Sequence, residues 1–286
     1  MIEFRRLTQV SGFIAGNGFW TGLTTGEIYS GSLKGFCLPF LNCYACPSAI
    51  FSCPIGSIQH FVSTGNVPIF LLGMLGIIGL AIGRMGCGWL CPFGLIQDLM
   101  YKLPVKKITI PRHLSYLKYL VLIFLVVLIP YVTSVPWFSK LCPYGTLTAG
   151  IPWLIINPTN AASGRPVISS DDIDAMFALK LVLLSDFLIL FTIVKRPFCR
   201  VVCPLGALFS LFNRVSLVQL EVANGCRDCG HCRTLCPMDL KVSDAPNSAE
   251  CIRCFSCTQC RFVTAKVGLS GLALQTREHR SEGDYV

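Results

Sequence analysis

Apolar residues gather into four long, nearly uncharged runs, separated by polar and basic connections. A membrane crossing needs about 20 mostly apolar residues. Val67–Gly83 (VPIFLLGMLGIIGLAIG) is one such run, and Leu117–Trp137 (LKYLVLIFLVVLIPYVTSVPW) is the clearest. Ala175–Val194 (AMFALKLVLLSDFLILFTIV) is a third, interrupted by Lys180 and Asp186. The earliest, about residues 7–28, is rich in Gly and Thr and carries no charge before Glu27; a half-inserted or interfacial segment is the alternative there. From about Ser216 the apolar runs stop and a polar, cysteine-rich segment begins. The pattern predicts an all-α membrane protein. Residues 1–215 form a four-transmembrane-helix bundle with spans at about 7–28, 67–83, 117–137 and 175–194. A small soluble module follows over 216–262. Residues 263–286 are a tail with one mildly apolar patch (VGLSGLALQ) and a charged end.

Composition strengthens the membrane reading. The 286 residues are 53% hydrophobic and only 14% charged, against about 25% charged in soluble domains; mean hydropathy is +0.61. The net charge of +9 could suggest nucleic acid, but the basic residues cluster beside apolar runs, as topology signals do. Arg5, Arg6, Arg84, Lys102, Lys106, Lys107, Arg112, Lys118, Lys195, Arg196, Arg200 and Arg214 mark one side. The opposite connections hold only Lys34, Lys140 and Arg165, with Asp171, Asp172 and Asp174. The basic side, and with it everything after 195, is therefore expected in the cytoplasm. The setting is the plasma membrane of a bacterium or archaeon, with lipid as partner and no nucleic acid. No cleavable signal peptide is evident.

Seventeen cysteines in ligand-like spacings favour metal over a disulfide scaffold, which belongs to small secreted chains. Cys226-x2-Cys229-x2-Cys232-x3-Cys236-Pro is a ferredoxin run, in which the fourth cysteine ligates the other cluster. A zinc site would use pairs of C-x2-C instead. Cys251-x2-Cys254-x2-Cys257-x2-Cys260 departs from it by one residue and has Arg261 in place of proline. Cross-ligation assigns Cys226, Cys229, Cys232 and Cys260 to one [4Fe–4S] cluster, and Cys251, Cys254, Cys257 and Cys236 to another. An altered cluster at Cys260 is the alternative. The fold class is thus a membrane bundle followed by a small two-cluster α+β ferredoxin-type module.

Of the other nine cysteines, four head a repeated Cys-Pro-x-Gly: Cys53, Cys91, Cys142 and Cys203. Proline can open a helix as its first residue, glycine lets backbone approach a cluster, and the helix N-terminus favours an anionic centre. Cys87-x3-Cys91 and Cys199-x3-Cys203 flank cytoplasmic span ends and together supply four thiolates. Cys43, Cys46, Cys53 and Cys142 supply four more from the outward connections. Cys37 is left over, either a buried thiol or an alternative to Cys43.

At these residues the chain resembles the membrane-bound polyferredoxin-type 4Fe–4S proteins, a family that includes the quinol dehydrogenase subunit of the periplasmic nitrate reductase system. The resemblance runs from about residue 5 to 260. It is carried by GRMGCGWLCPFGLIQDL (83–99), KRPFCRVVCPLGAL (195–208) and the run at 226–237. It implies four spans, cytoplasmic clusters and electron delivery toward a reductase outside. The stretch NCYACPSAIFSCPIGSIQ (42–59) resembles a subgroup with extra cysteines rather than the nitrate-reductase member.

Intramembrane charge is a functional hypothesis by default, so Asp186 and Lys180 are candidates for a quinone or proton site, as are His60 and Asp98 beside cysteine loops. A buried pair or simple solvation is the competing reading. Haem is not expected, because His60, His113, His231 and His279 all lie outside the firm spans. No phosphate loop or Rossmann fingerprint appears. The expected function is an electron-transfer subunit of an oxidoreductase complex. It would carry electrons between a cytoplasmic redox protein and the membrane or an extracytoplasmic acceptor. A quinol dehydrogenase, or a redox-sensing or maturation factor for a metalloenzyme, are the alternatives.

Overall fold

Prolines and glycines set where the helices of this chain begin and end. A computed structural model describes residues 2–157, 159, 166, 174–223, 225–226 and 229–268. Helix α1 (Ile2–Gly16) is followed by a largely irregular stretch with short helical turns at Gly22–Thr25 and Ser32–Gly35, and then α2 (Pro54–Ser63), α3 (Ile69–Ile82), α4 (Met85–Trp89) and α5 (Pro92–Met100). A long helix, α6 (Arg112–Thr133), and the helical run α7 (143–156) come next. Helix α8 (Ala175–Ile193) leads into α9 (Pro197–Val201) and α10 (Pro204–Ser210). The remainder is β1 (Val218–Val222), α11 (His231–Leu235) and β2 (Val263–Val267).

The four-helix transmembrane bundle expected from the apolar runs is not what forms. Among the described residues two helices are long and apolar enough to cross a membrane. These are α6, with 22 residues and hydropathy 2.1, and α8, with 19 residues and hydropathy 2.2. The expected span at 67–83 yields a helix of 14 residues, about 21 Å at 1.5 Å per residue and short of a hydrocarbon core of about 30 Å. Pro68 precedes it, and Gly83, with φ of +59°, ends it. No larger residue fits there, because a Cβ at Gly83 would lie 2.5 Å from Asn213 Oδ1. The expected span at 7–28 breaks after Gly16. Its helix is instead tied down by Arg5, which donates to Asp98 at 2.9 Å, and by buried Gln9, which donates to the Cys91 carbonyl at 3.3 Å.

Both long helical runs contain π-helical turns just ahead of a proline: Val121–Leu128 before Pro130, and Thr146–Gly150 before Pro152. Proline removes one N–H and crowds the carbonyl four residues back, and the wider turn absorbs the mismatch. From α2, Gln59 Nε2 donates to the Leu125 carbonyl of α6 at 3.2 Å.

The core forms where α5, α8 and α9 meet. Phe93 stacks edge-on with Phe198 (5.0 Å) and Phe191 (5.4 Å), the favoured aromatic geometry. Strands β1 and β2 pair antiparallel, with Val218 opposite Val267 and Val222 opposite Val263. Buried Leu220 and Val263 pack there with Val242, Cys232 and Cys257.

The cysteine-rich segment is fastened to the helices by buried polar groups. Asn213 Nδ2 lies over the carbonyls of Ser248 (3.0 Å), Ala249 (3.3 Å) and Cys251 (2.6 Å). Its Oδ1 accepts from the Arg84 amide, and Arg253 donates to its carbonyl. Trp89 Nε1 donates to the Arg253 carbonyl at 2.9 Å.

Candidate metal centres

Each Cys-Pro-x-Gly sequence builds the same local structure. Cys53, Cys91, Cys142 and Cys203 are all N-caps in extended conformation, with φ/ψ of −75/125, −73/114, −65/118 and −64/110, and proline opens the helix that follows. The glycine N–H then points back at the sulfur; Gly206 N donates to Cys203 Sγ at 3.4 Å. Free N–H groups and the positive helix end suit a thiolate.

Cys87, Cys91, Cys199 and Cys203 are all buried and lie within electrostatic reach of one another. Burial and then the neighbouring thiols push Cys91 up to about 12 and drive Cys203 well above its ordinary value. Gln97 Nε2 donates to Cys199 Sγ at 3.2 Å. Cys46, Cys53 and Cys142 likewise all lie within electrostatic reach of Cys43. Cys43, Cys53 and Cys142 line one small cavity, and burial pushes Cys142 up to about 12. Cys37 lies beside this group, with its sulfur 3.5 Å from Ser57 Oγ and Cys53 in reach.

In the C-terminal segment Cys236, Cys251, Cys254 and Cys257 line one enclosed cavity with Leu240 and Ile252. Burial, followed by its cysteine neighbours, pushes Cys236 up to about 12, and Cys257 likewise. Cys232 and Cys260 share an apolar cluster. Cys226 is half-buried and Cys229 exposed, and residues 227–228 between them lie outside the described residues.

Four thiols that raise one another cannot all ionise without a cationic centre, and a bound metal deprotonates its thiols outright. No three His, Cys, Asp or Glu among the described residues close on a single ion. A tetrahedral site with bonds of about 2.3 Å would draw its sulfurs to about 4 Å from one another. All-cysteine donor sets in apolar walls suit an iron–sulfur cube.

The groups form a succession. Tyr144, 2% exposed, lies between the first two, within reach of Cys91 on one side and of Cys43, Cys46 and Cys142 on the other. Its ring packs on Phe93 at 5.3 Å. At the other end a Cβ on Gly88 would lie 2.4 Å from the Ile252 carbonyl and 3.6 Å from Cys254 Cα, so the Cys87 loop touches the Cys251 run.

Other sequence candidates fall elsewhere. Asp98 is clamped by Arg196 Nη2 (2.6 Å) and Arg5 Nη2 (2.9 Å). Burial alone would raise its carboxyl, but Arg196 and then Arg5 hold it below the usual range. Asp186 is exposed and Lys180 half-buried, on different faces of α8. His60 is exposed, stacks on Phe61, and edges a cavity of about 390 Å³ with Lys34 and Tyr44.

Sequence reasoning missed Arg84, Arg196 and Glu250. Arg84 is paired with Glu250 at 3.3 Å, which also pairs with Lys118. The signal was present: an arginine stands three residues before both Cys87 and Cys199. It also missed a larger apolar cavity of about 470 Å³ bordered by Gln9, Trp20, Cys46, Pro92 and Tyr144.

A mostly helical chain whose buried cysteines gather in groups, at helix N-termini and in cation-flanked surroundings, is an iron–sulfur protein of the ferredoxin type. A 4Fe-4S binding domain matches residues 64–111 and 178–220, spanning the two Cys-x3-Cys-Pro loops. A Methanocaldococcus jannaschii protein of unassigned role is 35% identical over 217 residues, 72% of this chain and 81% of that one. The ferredoxin-type protein NapH of Escherichia coli is 26% identical over 283 residues, covering 90% and 84%. The methylamine utilization ferredoxin-type protein MauN of Methylorubrum extorquens is 28% identical over 245 residues, covering 82% and 74%. No solved structure matches. The chain belongs to this NapH-like family of 4Fe–4S ferredoxin-type proteins, and its class is iron–sulfur electron transport.

Proposed function

We propose that the chain is a membrane electron-transfer subunit with four [4Fe–4S] sites. They are held by Cys43/Cys46/Cys53/Cys142, by Cys87/Cys91/Cys199/Cys203, by Cys236/Cys251/Cys254/Cys257 and by Cys226/Cys229/Cys232/Cys260. The bound clusters supply one-electron carriers. Residues 216–262 act as the ferredoxin-type module that meets a cytoplasmic redox protein, and the Cys43 group faces the membrane or an extracytoplasmic partner. The observation that carries this reading is the unbroken succession of cysteine groups from Cys142 through Tyr144, Cys91 and Gly88 to Cys254.

Membrane residence is supported by α6 and α8, whose apolar windows are only 17% and 11% buried within the chain. Ile123 and Phe124 on α6, and Val182 and Ile189 on α8, are half exposed or more. A soluble core helix would bury such residues, and an exposed apolar belt of this size calls for lipid or a partner. The basic residues after Ile193 support a cytoplasmic location for that side by charge bias.

Redox-titrated EPR on anaerobically purified protein tests the reading. Cys203→Ser should remove one cluster signal and leave the others; an unchanged spectrum would refute the assignment.

The apolar cavity favours a second reading, oxidation of a quinol. Gln9 Oε1 and the Tyr144 hydroxyl are buried without a hydrogen-bond partner among the described residues, and both border it, between Cys46 and the Cys91 loop. A flat apolar ring with polar oxygens matches such a lining. Tyr144→Phe and Gln9→Leu should then abolish reduction by a quinol analogue while dithionite still reduces the protein. Retained quinol reduction in both variants would exclude this cavity.

A further inference from the structure

The two Arg-x2-Cys-x3-Cys-Pro-x-Gly sequences, 84–94 and 196–206, do not each fold upon themselves; they exchange arginines. Arg84, from the first, donates through Nη2 to the carbonyl of Cys199 in the second at 3.3 Å. Arg196, from the second, donates through Nη1 to the carbonyl of Cys87 in the first at 3.2 Å. Each guanidinium lies over the other half's glycine. A Cβ on Gly206 would sit 2.8 Å from Arg84 Nη2, and one on Gly94 would sit 3.2 Å from Arg196 Cζ. These glycines leave room for the arginines.

The charge environments are also reciprocal. Arg84 shares Glu250 with Lys118, and Arg196 shares Asp98 with Arg5. Each triad has two cations and one carboxylate, so each keeps a surplus positive charge. Arg84, Arg196 and Lys118 are all essentially inaccessible to solvent. A buried charge without a counter-charge is costly, and the surplus needs an anion close by. Four thiolates around an iron–sulfur cube supply one, and it grows more negative on reduction.

We infer that Arg84 and Arg196 are positioning residues, exchanged between the two half-sites, which lock the halves together and raise the reduction potential of the centre held by Cys87, Cys91, Cys199 and Cys203. The inference rests on the proposal that these four cysteines hold a cluster. Surrounding charge and hydrogen bonding set the potential of such centres, and groups behind the ligands tune it. Because Lys118 and Arg5 remain to pair Glu250 and Asp98, removing either arginine strands no carboxylate.

The test is a redox titration followed by EPR on the full chain, purified anaerobically. Cys199→Ser first identifies the signal; if no signal disappears, the cluster assignment fails, whatever the arginines do. With the signal identified, Arg84→Gln and Arg196→Gln should each retain full iron and shift that same signal to lower potential. The double variant should shift it further, and Arg84→Lys and Arg196→Lys should recover most of the loss. Shifts on two different signals, or no shift at full iron content, would overturn the inference. If the Gln variants fail to assemble, Gly206→Ala decides: it keeps every charge but displaces Arg84. A lowered potential supports the inference, and an unmoved one overturns it.

Discussion

The Cys87 and Cys43 groups share the Cys-Pro-x-Gly cap but differ in what surrounds it. Two buried arginines with their carboxylates and second cations wall the Cys87 group. The Cys43 group is bordered by neutral amides. Asn42 Nδ2 donates to the carbonyl of Phe51, and Gln59 Oε1 accepts from Ser139. Half-buried Lys34 lies within electrostatic reach of Cys46 and Cys43 and donates to the carbonyls of Tyr44 (3.2 Å) and Ala49 (3.1 Å). One local motif thus supplies the same cap geometry at both groups, while long-range charge makes them electrically unlike.

The largest effect expected from breaking that comparison is loss of a whole centre. Cys142→Ser should remove about four irons per chain and spare the Cys87 group, and Cys199→Ser should do the reverse. Loss of both centres in either variant would show that the two groups assemble as one unit.

Next in size is the charge framework. Glu250→Gln leaves Arg84 and Lys118 buried without their carboxylate, which should cost about 3–5 kcal/mol of stability. Lys34→Met, at the amide-lined group, should cost no more than about 1 kcal/mol. Thermal unfolding of the two variants measures the contrast, and equal losses would contradict it.

Acid sharpens the same distinction. The Asp98 carboxyl is held below its usual value of about 3.9. Its stabilisation is therefore complete above that pH and is lost as pH falls through the depressed folded value. The stability gap between the wild type and Asp98→Asn should stay constant near neutrality and close below about pH 4. A gap that closes above pH 6 would point to another group.

The smallest effect concerns potential. The Cys87 centre should titrate above the Cys43 centre, and Lys34→Met should lower only the latter, slightly. The reverse order of potentials would contradict the charge comparison.

Much of the site was legible in the sequence because Cys-Pro-x-Gly is a local device. Proline at the first helical position and cysteine at the cap dictate their own geometry, whatever the fold around them. The spans were less legible. Hydropathy sees a run of apolar residues at 67–83 but not that Gly83 must turn to meet Asn213, 130 positions later in the chain. Nor does it see that Arg5 will be drawn into a buried pair with Asp98. Arg84 and Arg196 read as topology signals in the sequence because their carboxylate partners, Glu250 and Asp98, are distant along the chain. The cavity between Gln9 and Tyr144 joins three segments, and no local pattern announces it.

Iron and acid-labile sulfide per chain, measured on protein purified without oxygen, tests the central claim most directly. Four groups of four cysteines predict about sixteen of each. About eight, the content of a two-cluster ferredoxin module alone, would contradict the account.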